Sequence, residues 1–233
     1  MEMMVNSCAR PLYFINEDPE FPYSRVGTCF VVRCSGKLWG ITANHVAKLS
    51  NYNIDRAVIP CAVNSPEFFP VHRQHIYRPV DGVPEVTDVV IYEFDMGQMS
   101  GVGTPESEIY DLDAESLPHV GVRAQLWVHA FPDEINSICY DTKSMKRQSV
   151  IIPLLDPAES EDLEGCIQAK LTSRLNLAST RGLSGSPVIG VQELSSGIQI
   201  TQLSGMVIRA GNGIVNFLGR PAITSLMRKA LAA

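Results

Sequence analysis

Gly182-Leu183-Ser184-Gly185-Ser186-Pro187 brackets one serine with glycines. Glycine has no Cβ, so such a stretch can turn its amides inward and present a hydroxyl. Its weight comes from two segments upstream, Thr42-Ala43-Asn44-His45-Val46 and Asp88-Val89-Val90-Ile91. Together they set the chain order His, Asp, Ser, one of the orders in which a nucleophilic triad occurs. A serine hydroxyl is a poor nucleophile at neutral pH until an imidazole takes its proton. The imidazole in turn needs a carboxylate that fixes its tautomer and stabilises the imidazolium. The reading assigns Ser184 as nucleophile, His45 as general base and then general acid, and Asp88 as the orienting carboxylate. Gly182 leaves the backbone free to aim the amides of Gly182 and Ser184 at a developing oxyanion, and Pro187 fixes the chain as it leaves the loop.

Each of the three residues also has an ordinary structural reading. A histidine after an apolar strand can be a hydrogen-bonded structural group, an aspartate can begin a strand as a turn residue, and a serine can sit in a loop. The joint occurrence in the right order is what favours catalysis. Asp95 competes with Asp88 but falls after the apolar run instead of at its start. His72, His75, His119 and His129 lack a comparable setting. The Ser, Asp, His order and Gly-x-Ser-x-Gly elbow of α/β-hydrolases are absent, which disfavours an esterase or acyl transferase of that kind.

Around these motifs the chain reads as short strands. Cys29 to Arg33 and Leu38 to Thr42, separated by Ser35-Gly36-Lys37, predict a hairpin that delivers His45 at its exit. Val86 to Phe94, Val122 to Ala130, Ser149 to Leu155, Gly165 to Thr172, Ser186 to Val191 and Ile198 to Val207 are further short apolar or alternating runs. A helix is expected over Pro221 to Ala232, where Ile223, Leu226, Met227, Ala230 and Leu231 recur at helical spacing after a proline suited to a first turn. Glycines and prolines between 95 and 120 predict a linker. Asp156 to Glu164, rich in carboxylates, reads as a solvated loop and as a candidate contact for a basic partner. No internal repeat is visible.

GTCFVV at 27–32, ITANHV at 41–46, TDVVIYEF at 87–94 and RGLSGSPVIG at 181–190 resemble the chymotrypsin-fold, trypsin-like serine peptidases, in particular their bacterial and viral branches. The resemblance covers about residues 25 to 230. It implies an all-β fold of two six-stranded antiparallel β-barrels with a C-terminal helix and the site between the barrels. The expected division is an N-terminal extension over 1–25, a first lobe with His45 and Asp88 over 26–110, and a second lobe with Ser184 over 111–233. It also implies that Ala178 forms the base of the pocket for the residue preceding the cut bond, where trypsins place aspartate. Ile208, Arg209 and Ala210 are then expected along an edge strand that pairs with an extended substrate. Arg181 and Arg209 are candidate partners for an acidic substrate group. Ser186, where most trypsins have a second glycine, also occurs in glutamyl endopeptidases. Trypsins activate by inserting a new N-terminus beside the nucleophile, and this chain has no recognisable cleavage sequence of that type. The resemblance implies cleavage of a protein or peptide substrate. Limited proteolysis is expected because an unregulated peptidase in a cytoplasm would threaten its host. The active state is reached through constitutive order of the loop around 178–184, through an activating or regulatory protein partner, or through residues 1–25. A catalytically silent binding module on the same fold is the alternative.

Composition fits a folded chain: 233 residues, 45% of them hydrophobic, suffice for a sizeable core. A net charge of −6 argues against nucleic-acid binding, and no apolar run is long enough to span a membrane. The first residues, Met1-Glu2-Met3-Met4-Val5-Asn6, have neither the basic start nor the apolar stretch of a secretory signal. Cys8, Cys29, Cys34, Cys61, Cys139 and Cys166 do not stand where secreted relatives place their disulfides: Val46 follows the histidine, and Thr180 stands where another cysteine is usual. Reduced thiols and a cytoplasmic location are expected. His72 and His75 lack a Cys-x-x-Cys partner, so neither a metal nor another cofactor is expected.

Overall fold

The computed structural model describes residues 8–77, 88–98, 103–113, 124–142, 144–160, 163, 165–172, 179–193, 196–197 and 199–233. The first lobe is a sheet built from β1 (Ala9–Ile15), β2 (Tyr23–Cys34), β3 (Lys37–Ala43), β4 (Ala57–Val58), β5 (Val71–Tyr77) and β6 (Val89–Phe94). The β2–β3 hairpin turns where the sequence predicts, at Ser35 and Gly36, both in the left-handed region with φ of 52° and 70°. A short helix, α1 (Asn44–Lys48), follows β3 directly, and β7 (Tyr110–Asp111) adds a parallel pairing to β2. The spatial order is β4-β1-β2-β3-β6-β5.

The second lobe contains β8 (Gln125–Ala130), a small hairpin of β9 (Ile138–Cys139) and β10 (Ser144–Met145), then β11 (Val150–Glu159), β12 (Cys166–Leu171), β13 (Pro187–Glu193), β14 (Gln199–Gly211) and β15 (Ile214–Gly219). Apart from the hairpin, these strands close into a six-stranded barrel ordered β11-β12-β15-β14-β13-β8. If the six strands of each lobe are counted from one to six along the chain, both lobes follow the circuit 1-2-3-6-5-4. In the second lobe strand four returns to strand one and also meets strand five. In the first, strand four pairs with strand one, while its pairing with strand five is not seen among the described residues.

The fold is therefore all-β with one closed barrel and one curled, open sheet, where two closed barrels were expected. The local reason lies in residues 57–70. Strand β4 has two residues and is stopped by Pro60, which has no N–H for a ladder. The chain then folds on itself, with Cys61 N–H donating to Glu67 O (3.0 Å) and Phe69 N–H to Ile59 O (2.8 Å), instead of running beside β5.

Residues 1–25, expected as an extension, include β1, which pairs with β2 from Ala9 to Ile15 and belongs to the first sheet. The acidic stretch 156–164, expected as a loop, continues β11 as far as Glu159 past an irregularity in its pairing with β12, and Asp156 accepts from Lys170 Nζ at 3.1 Å. Strands β1, β5 and β15, and the two-residue strands β4, β7, β9 and β10, were not anticipated.

Two apolar clusters hold the lobes. Val128, Ala130, Ile152, Leu154, Val188, Val207, Val215 and Phe217 fill the closed barrel. A second cluster begins inside the first sheet and runs on to the outer face of the barrel, where it takes in Ile189, Met206, Ile208 and Leu218. Helix α2 (Arg220–Leu231) joins this cluster through Ile223, Leu226, Met227 and Ala230, as its spacing predicts, and Tyr77 of β5 donates to Leu226 O at 3.1 Å. The lobes thus share a continuous, largely apolar seam. Arg10 of β1 and His129 of β8 are buried there too, and burial beside the Arg10 charge lowers the His129 pKa to about 4. None of the six cysteines is in a disulfide. Among the described residues, no helix is long and apolar enough to cross a membrane.

Candidate functional site

The register of β3 against β6 places the first two candidate residues together. Ala43 is opposite Val89, so the residues just after β3 meet the residue just before β6. Asn44 N–H donates to Asp88 O (3.1 Å) and His45 N–H to Asp88 Oδ1 (2.9 Å). The other carboxylate oxygen, Oδ2, lies 2.5 Å from His45 Nδ1. One carboxylate therefore binds both the backbone and the ring of the histidine, which leaves Nε2 as the ring nitrogen not engaged by Asp88. The Asp88 side chain is 15% exposed and that of His45 48%, so the pair is backed by protein on the aspartate side and open on the histidine side. Asp95, the competing carboxylate, lies beyond the far end of β6, where its Oδ1 accepts from Gly97 N–H (3.0 Å).

The serine loop enters β13 from the other lobe. Leu183 is fully buried inside the closed barrel, so the loop is plugged into that lobe by an aliphatic side chain. Gly185 N–H donates to Val207 O (2.8 Å) and Val207 N–H to Ser186 O (2.9 Å), which extends the β13–β14 pairing into the loop. Gly185 has φ +82°, and a Cβ there would run into the Thr28 carbonyl and the Thr42 hydroxyl. Both its conformation and its packing therefore require glycine.

The lobes meet at β2. Thr28 N–H donates to Ser184 O (3.1 Å) and Thr28 Oγ1 to Gly182 O (2.7 Å). A Cβ on Gly27 would stand 3.0 Å from Val46 Cγ1 and 3.3 Å from Ser184 O. Gly27 is thus the point at which the neighbour of His45 and the backbone of Ser184 converge.

The peptide groups of this loop are held by their carbonyls. Arg181 O accepts from Asp133 N–H (3.0 Å) and Leu183 O from Ser186 N–H (3.0 Å). The N–H groups of these two peptide units belong to Gly182 and Ser184. Among the described residues neither has an acceptor, whereas the amides of Leu183, Gly185 and Ser186 are all bonded. Stabilisation of a developing oxyanion requires amide donors that are not already bonded within the protein. Beneath them lies the Arg25 guanidinium, whose side chain is 8% exposed and ion-paired to Asp133. Burial lowers the Arg25 pKa, and the Asp133 charge opposes that shift.

The remaining candidates are placed unevenly. Ala178 lies outside the described residues. Arg181 is exposed beside Gly182, and Arg209 is exposed on β14. Ile208 is 4% exposed in the apolar seam at a bulge, so only its backbone can face a ligand. Ala210 O is taken by Thr180 Oγ1 at 2.9 Å. Ser186 is fully buried, so its hydroxyl is not presented to a substrate. His72 and His75 lie on β5, where His75 packs against Trp39 with ring centroids 6.0 Å apart.

Arg25, Thr28 and Asp133 were not singled out in the sequence. Thr28 stood inside the quoted GTCFVV motif, whereas Arg25 and Asp133 are 108 residues apart and carry no local signal. No known family model matches the chain, and no curated protein matches it.

Proposed function

We propose that this chain is a serine endopeptidase of chymotrypsin-like fold that cleaves an extended protein segment through an acyl-enzyme. The observation that carries the reading is the carboxylate-bound His45 on one side of the lobe seam together with two unspent amides, those of Gly182 and Ser184, on the other. In this reading His45 Nε2 takes the proton of Ser184 Oγ as the oxygen attacks the substrate carbonyl carbon. Asp88 accepts a hydrogen bond from Nδ1–H and stabilises the imidazolium. The carbonyl oxygen becomes an oxyanion between the two amides, each contributing about 3 kcal/mol to the transition state. The tetrahedral intermediate collapses with cleavage of the C–N bond, and His45 gives its proton to the leaving amine. Water, deprotonated by His45, then attacks the ester, and Ser184 is released with its proton restored.

The first lobe is read as an incomplete counterpart of the second barrel, with the same strand circuit. Arg181 and Arg209, both exposed near the loop, support acceptance of an acidic residue in the substrate. A cytoplasmic location, with limited proteolysis of few targets, belongs to the same proposal. Incubation with a peptide library derived from a whole proteome, read by mass spectrometry, tests it. Discrete cut sites with the native protein and none with Ser184→Ala are expected. An equal pattern in both would refute the assignment, and no cutting by either would favour the binding-module alternative.

A further inference from the structure

We infer that Arg25 is a positioning residue: paired with Asp133, it holds the Arg181–Gly182 peptide in the orientation that presents the Gly182 amide. The inference rests on the proposed serine-peptidase reading.

A peptide unit turns as a plate, so fixing its carbonyl fixes its N–H in the opposite direction. Among the described residues, one backbone donor, Asp133 N–H, fixes the Arg181 carbonyl. That donor follows the extended Pro132 after β8, opens a single 3-10 turn over Asp133–Ile135 and is not part of a strand ladder. Its side chain is ion-paired with Arg25 of β2, in the other lobe, which ties the turn to that strand. Arg25 is enclosed at the same point: a Cβ on Gly182 would stand 2.5 Å from Arg25 Nη2, 2.5 Å from Phe131 O and 2.8 Å from Asp133 Oδ1. Gly182, with φ +89°, therefore rests on the ion pair itself. Among the described residues Arg25 Nε and Nη2 are buried without a partner. Leaving charged donors unsatisfied is costly, and a group retained at that cost beside the loop is consistent with a role beyond packing.

A second anchor works from the same strand, since Thr28 Oγ1 donates to the Gly182 carbonyl and accepts from Phe131 N–H (3.1 Å). The two lobes thereby grip residue 182 from both of its peptide units. With the Arg25 charge removed, Asp133 loses its partner, the Asp133 amide shifts, and the 181–182 peptide is free to flip its N–H away from the oxyanion.

The test is the second-order rate of labelling by a fluorophosphonate, whose phosphonyl oxygen occupies the oxyanion position. It is measured across pH for the native chain, Arg25→Met, Arg25→Lys and Asp133→Asn, alongside melting curves and a Ser184→Ala control. Arg25→Met is expected to label about 100-fold more slowly, while the midpoint of the pH–rate profile stays in place. Arg25→Lys, which keeps a cation beside Asp133, recovers about tenfold of that loss. Folded Arg25→Met labelling within about threefold of the native rate would overturn the inference. So would a shift of the pH midpoint in parallel with the rate, because that would indicate general disordering of the seam. If Arg25→Met does not fold, Asp133→Asn decides alone, with slowing of about tenfold expected and an unchanged rate contradicting. Native protein that does not label through Ser184 would instead remove the peptidase reading, and this inference with it.

Discussion

The two lobes share one strand circuit and differ in how it ends. The second closes on itself around a core of its own. Among the described residues the first stays open at β4, and its apolar interior runs on into the outer face of its partner and α2. A closed barrel satisfies its own edges, whereas an open curled sheet depends on what covers it. The candidate residues follow this division. The Ser184 loop is plugged into the closed barrel by Leu183, and His45 and Asp88 stand at the ends of strands in the open sheet. The difference teaches that the site's geometry depends on the seam, above all on β2 beneath the loop.

Four substitutions can break or sharpen this comparison. The largest effect is expected at the seam itself. Gly185→Ala forces a Cβ against Thr28 and Thr42 at a positive φ, and urea unfolding should show a loss of at least about 4 kcal/mol. A loss under about 1 kcal/mol would mean that the lobes separate readily at β2. Next, Phe217→Ala in the closed barrel should cost about 4 kcal/mol by the same measurement.

The third probe is pH. Unfolded histidine binds its proton near 6.5, whereas buried His129 does so only near 4. Between those values the unfolded chain holds more protons. Stability should therefore be intact above about pH 6.5 and fall by roughly 3 kcal/mol as pH drops to 4. His129→Phe should remove most of that slope, and an unaltered slope would place its origin elsewhere. The smallest effect is expected at the open edge, where Val58→Ala on the two-residue strand β4 should cost about 1.5 kcal/mol. A value equal to that of Phe217→Ala would show that the open lobe is as tightly built as the closed one.

Legibility in the sequence followed how local each signal was. The β2–β3 hairpin, the strand before Asp95 and helix α2 were readable because their turn residues and periodicities lie within a few positions. The meeting of His45 and Asp88, 43 residues apart, is not a local signal and was suggested only by the order of the motifs and the resemblance they carry. Strand β1 was hidden by its start, Ala-Arg-Pro, where a buried arginine stands in what would otherwise read as an apolar run. Strand β5 was hidden by Val71-His72-Arg73-Gln74-His75, a half-exposed pattern that drew attention as a metal motif instead. Strand β15 is short and split by Asn216. The failure of the first sheet to close depends on how residues 59–69 fold over themselves, and the Arg25–Asp133 pair joins residues 108 positions apart. Neither is a property of any short window of sequence.

The central claim is that His45, Asp88 and Ser184 form one working site across the seam. Labelling with a fluorophosphonate probe under reducing conditions tests it most directly, with the native chain compared to Ser184→Ala and His45→Ala. The account predicts covalent modification at Ser184 in the native chain and none in either variant. Folded native protein that stays unlabelled, or Ser184→Ala that labels as well as the native chain, would contradict it.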